Sequence, residues 1–89
     1  MNSTETKKII HGVIDRYLIK DYHITVKAGE VILWLPEKCK EKPYDHLSDE
    51  ANEALDDNVR VTIIYPNNGK RVSEFIHDNL AEIKRMKLI

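Results

Sequence analysis

Tyr22-His23-Ile24-Thr25-Val26-Lys27-Ala28-Gly29-Glu30-Val31-Ile32-Leu33-Trp34-Leu35-Pro36 is the stretch on which the fold turns. Its first half alternates: Tyr22, Ile24 and Val26 point one way, His23, Thr25 and Lys27 the other, as a half-buried strand requires. Ala28-Gly29 supplies the turn of a hairpin. The second half runs from Glu30 to Leu35, with Val31 to Leu35 apolar on both sides, and Pro36 ends it because proline has no N–H to donate to a ladder. A strand apolar on both faces needs cover on both faces.

Helices flank this hairpin. Upstream, Ile10, Val13, Ile14, Tyr17 and Leu18 recur at three- and four-residue spacing and predict an amphipathic helix, capped by Ser3 or Thr4 with Glu5 in its first turn. Gly12 lies on its exposed side. Downstream, Ser48 is read as the cap of a two-turn helix over Asp49 to Asp56, with Leu47, Ala51 and Leu55 as a thin apolar edge. Val59 to Tyr65 alternates as a third strand, with Val59, Val61, Ile63 and Tyr65 opposite Arg60, Thr62 and Ile64. Pro66-Asn67-Asn68-Gly69 is a turn. Val72, Phe75, Ile76, Leu80, Ile83 and Met86 form the stripe of a long last helix, within which Asn79 is read as a satisfied buried amide. The predicted fold class is α+β in the order α-β-β-α-β-α. Its three-stranded antiparallel sheet carries the two long helices on one face, and the short acidic helix precedes the third strand.

The chain has 89 residues, 42% hydrophobic and 33% charged, with a formal net charge of −1. These values fit one small folded domain over residues 1–89 and do not fit a disordered tail. The near-zero balance argues against a generic polyanion binder. Charge is segregated, however. Residues 37–57 hold eight carboxylates against three lysines, a net of −5, whereas residues 58–89 hold six cations against three carboxylates, a net of +3. The first block is read as a solvated excursion between strands, and Lys84, Arg85 and Lys87 suit the negative end of the last helix. No stretch reaches the ~20 apolar residues of a membrane helix, and the polar N-terminus lacks the apolar core of a signal peptide. A single cysteine, Cys39, excludes an intramolecular disulfide and points to a reducing, cytoplasmic setting.

His11, His23, His46 and His77 share no metal-ligand spacing with one another or with Cys39. No glycine-rich phosphate loop or nucleophile elbow is present. The expectation is a non-catalytic protein with neither metal nor cofactor. Its expected function is that of a small binding or regulatory module acting through contact with a protein partner or with itself, in a possible homodimer. Trp34, Ile32 and Ile64 are the expected apolar anchors, and His23, Lys27 and Arg60 the polar rim, because aromatic and arginine side chains dominate interface energetics. The competing expectation covers the same surface with the acidic helix as a lid. A nucleic-acid binder using Lys70, Arg71, Lys84, Arg85 and Lys87 is the alternative function, since Lys70 and Arg71 stand at a helix start.

Overall fold

The computed structural model describes residues 2–41, 44–55, 58–66 and 69–89, without the side chain of Asp45. Lys42, Pro43, Asp56, Asp57, Asn67 and Asn68, which the sequence reading placed in the acidic stretch and the turn before the last helix, lie outside the described residues. The element order is the predicted one: α1 (Ser3–Asp15), β1 (His23–Lys27), β2 (Glu30–Trp34), α2 (Leu47–Ala54), β3 (Arg60–Ile64), α3 (Val72–Asp78) and α4 (Leu80–Arg85). Short 3-10 turns at Glu37–Lys40 and Tyr44–His46 lead into α2.

The hairpin forms as read. Lys27 pairs with Glu30, Thr25 with Ile32 and His23 with Trp34 in antiparallel register, and Gly29 takes φ +72° at the turn, where a side chain would be strained. β3 corrects the expectation of a purely antiparallel sheet: it runs parallel to β2, with Ile32 opposite Thr62 and Trp34 opposite Ile64. The sheet is therefore mixed, in the order β1-β2-β3. Residues 35–59 carry the chain back through α2 to the starting end of β2, a crossover long enough for parallel pairing.

The placement of the helices is a second correction. The two ends of the chain do not share a face. One face of the sheet, here face A, carries Ile24, Val31, Leu33, Leu35 and Val61, and these pack against Ile10, Val13 and Ile14 of α1 and Leu47 and Ala51 of α2. The opposite face B carries Ile32 and Trp34, which pack against Val72, Ile76 and Ile83 of α3 and α4. A central strand with apolar residues on both sides requires two covers, and the chain supplies them from different ends.

Local details also shift. Asn2, not Ser3 or Thr4, caps α1, its side-chain oxygen accepting from the Glu5 N–H at 2.8 Å. α2 starts at Leu47 without a side-chain cap, so Ser48 falls inside it. The long last helix is broken at Asn79, whose backbone leaves helical geometry at φ −117° and ψ 19°. The Asn79 amide donates to the Phe75 carbonyl at 2.8 Å, occupying an acceptor at the end of α3. α1 ends before Leu18, which therefore leaves the apolar stripe predicted for it.

Candidate functional site

The six residues read as a contact surface do share face B, but not as a surface. Trp34 is 1% exposed and Ile32 fully buried beneath α3 and α4, so neither anchors an external partner in this fold. The Trp34 indole donates to the Thr25 hydroxyl at 3.1 Å, and its ring lies 6.4 Å from that of Phe75. Ile64 is half-buried against the same cluster. The acidic helix is no lid over Trp34, because α2 packs on face A. It is tied to α1 there: Arg16 pairs with Glu50 at 3.1 Å, and the Tyr17 hydroxyl donates to Glu50 at 2.6 Å. That hydrogen bond holds the Tyr17 proton and raises its pKa.

The rim residues separate. His23 and Lys27 lie on β1 at one edge of the sheet and Arg60 on β3 at the other, with Glu30 between Lys27 and Arg60 in one row. Burial, followed by the charge of Lys7, holds the His23 pKa below its usual 6.5. Beside β1, His11 and Tyr22 are hydrogen-bonded through Nδ1 and the phenol, and burial raises the Tyr22 pKa.

The basic set does not converge either. Lys70 pairs with Asp78 at 2.6 Å, which raises the lysine pKa and lowers that of the carboxyl group. Arg85 pairs with Glu82 within α4. The start of α3 is occupied by the chain itself: both carboxylate oxygens of Asp21 accept from the Val72 N–H, at 3.0 and 3.3 Å. Arg71, Lys84 and Lys87 are exposed on different parts of this segment.

Protein-family models, curated proteins and solved structures give no match to the chain. Geometry alone carries the functional reading. Among the described residues, no group of three or more metal-ligating side chains comes together, and no helix is long and apolar enough to cross a membrane.

Two further features of the surface stand out, a strand edge and a pair of hollows. The first is the free edge of β3. Arg60 donates to the Gly29 carbonyl, and the Ile64 carbonyl accepts from Leu35, both at 3.0 Å. Arg60, Thr62 and Ile64 thus turn their backbone groups toward β2, and by strand alternation Val61 and Ile63 turn theirs outward. No strand pairs with them there among the described residues. Thr62, Ile63, Ile64 and Tyr65 are all half-buried, and no charge or proline interrupts residues 61–65.

The second feature lies where β2 and β3 end. Pro36, Glu37 and Lys38 follow β2, Pro66, Gly69 and Lys70 follow β3, and together they line a hollow of about 300 Å³. A neighbouring hollow of about 220 Å³ shares Pro36 and Lys38 and extends to Leu18, Ile19, Asp21, Cys39 and Tyr44. Cys39 is buried in this region, and burial raises its pKa, with Lys38 pulling the other way. Sequence reading missed Leu18, Asp21 and Lys38 as neighbours. The available signal was a proline directly after two successive strands, Pro36 and Pro66.

Proposed function

We propose that the chain is a small non-catalytic binding or regulatory module that acts through protein–protein contact, as a homodimer joined along β3. The observation that supports this reading is the unguarded edge. Natural edge strands are blunted by charged side chains, prolines, bulges or brevity; in β3 the one charge is Arg60 at its start, and no lysine or proline follows through residue 65. Antiparallel pairing about a two-fold axis at Thr62 sets Val61 opposite Ile63 of the second copy, and the backbone groups of both then find partners. The two sheets continue into one of six strands, and the contact is isologous, as in most closed dimers. The other edge is a poorer candidate for self-pairing. An axis at Thr62 sets Arg60 opposite the apolar Ile64 of the second copy, whereas an axis at Thr25 would set Lys27 opposite His23, two polar groups of like charge tendency with no apolar partner.

The single thiol, Cys39, is buried and unpaired, which suits a reducing, cytoplasmic setting. The nucleic-acid reading loses support because Asp21 occupies the start of α3 and Asp78 holds Lys70. Sedimentation equilibrium from micromolar to millimolar protein tests the proposal. The wild type is expected to approach a dimer, Thr62→Lys to remain monomeric at every concentration, and Thr62→Val to dimerise. A wild-type monomer at millimolar concentration, or a Thr62→Lys dimer of unchanged affinity, overturns it.

A further inference from the structure

β1 is the other free edge of the sheet, and α1 lies along it. Lys27 and Glu30 close a two-residue turn and exchange both of their ladder hydrogen bonds, so by alternation Ile24 and Val26 turn their N–H and C=O groups outward. No backbone partner meets those groups among the described residues. On α1, Ser3, Lys7 and His11 recur at four-residue spacing and form one line along the helix. Each reaches the strand: Ser3 lines a hollow with Val26, Lys7 adds to burial in lowering the His23 pKa, and His11 is bonded to the Tyr22 hydroxyl. A groove thus runs between this helix line and the edge of β1.

The groove is cationic. β1 carries no carboxylate, and neither Lys7 nor Lys27 is held in an ion pair among the described residues. Glu30 stands opposite Lys27 on the next strand, with Arg60 on its other side, and Asp15 follows one turn after His11 at the far end. The hollow, of about 300 Å³ beneath the start of α1, is a second determinant. Val26 and Val31 give it an apolar wall. Thr6 also lines it, only 4% exposed, with a hydroxyl that makes no hydrogen bond among the described residues. No side-chain oxygen that is sealed from solvent lacks a partner there, so the Thr6 hydroxyl opens into the hollow. A buried hydroxyl left open in this way favours a ligand group that can pair with it.

We propose that this groove receives an extended acidic segment of a partner protein, which adds to β1 as a fourth, antiparallel strand. Its backbone pairs with Ile24 and Val26, and strand alternation sorts its side chains. Those opposite Lys27 and His23 project on face B and carry the carboxylates. Those opposite Ile24 and Val26 rise on face A beside Lys7, and the one next to Val26 enters the hollow. The lysine that opposes self-pairing at this edge favours an acidic strand, because opposite charges set across a strand pair attract. The edge is distinct from that of β3, so the inference stands whether or not the chain dimerises.

The probe is a short peptide of alternating glutamate and valine, blocked at both ends and followed by amide shifts in 1H–15N NMR spectra. Saturable shifts are expected at residues 3–11 and 22–29, with slowed amide exchange at Ile24 and Val26. The analogue alternating lysine and valine is expected not to bind. Methylating the valine nitrogens of the probe removes the N–H groups that face β1 and is expected to abolish binding. Methylating the glutamate nitrogens, which face away, is expected to leave it intact. Lys27→Glu is expected to weaken binding about tenfold or more. Lys84→Glu, remote on α4, and Thr62→Lys, on the dimer edge, are expected to bind as the wild type does. Absence of saturable shifts up to about 5 mM peptide overturns the proposal. So does undiminished binding of the valine-methylated probe, equal binding of the lysine analogue, or a loss in Lys84→Glu equal to that in Lys27→Glu.

Discussion

The two faces of this sheet are covered by unlike means. Face A gathers thirteen buried residues among those described and is held by two helices that are also bonded to each other through Glu50. Face B gathers five, under helices of seven and six residues with a break between them. Its cover depends on one large side chain, Trp34, and one remote cap, Asp21. Buried area sets local stability, so face A is the part that stands by itself and face B the part that opens first. The lesson is that a central strand binding two layers need not bind them equally.

The hardest test of that inequality is Trp34→Ala, expected to cost about 3–5 kcal/mol in denaturant unfolding, as large aromatic truncations in cores do. The signature is selective: near the midpoint, α3 and α4 amides should lose exchange protection before those of α1 and α2. Simultaneous loss on both faces would break the comparison. Asp21→Ala sharpens it at about 1 kcal/mol, the usual worth of a helix cap, with lost protection confined to α3. Opposite in sign is Leu18→Gly, expected to stabilise by about 0.5–1 kcal/mol, because left-handed strain is relieved and part of the gain is returned as unfolded-chain entropy.

The smallest effect is a pH dependence at the β1 edge. The His23 pKa is depressed in the folded state, so the unfolded chain binds the proton more readily. Stability from this group is full above pH 6.5 and declines as the pH falls below it toward the folded value. Melting temperatures of wild type and His23→Gln should converge on acidification, and a wild-type advantage that grows on acidification would reverse the sign.

Much of this was legible in the chain. Alternation in residues 22–35 and 59–65 assigned each side chain to its face correctly, down to the company Trp34 keeps with Ile32, Thr25 and Ile64. The identity of the covering element was not legible, because an apolar stripe states that a helix must be buried and not which layer buries it. The acidic helix and the C-terminal stripe were equally able to meet Trp34. Parallel pairing was hidden for a related reason: the length of the excursion permits it without demanding it. The hollows at the strand ends were the least legible feature, since Leu18 and Lys38 line one and Lys38 and Lys70 the other only through the course of two loops.

The Asp21 cap also bears on the order in which the molecule is assembled. It joins residues 51 positions apart, so its partner helix is translated long after the carboxylate that will cap it. Closing so long a loop costs entropy that only an already ordered receiving end recovers well. The hairpin and the two face A helices thus form the template, and the last third of the chain docks onto it. A chain shortened before residue 22 would lose more than its first helix, because α3 would arrive at face B with its first amide unanswered.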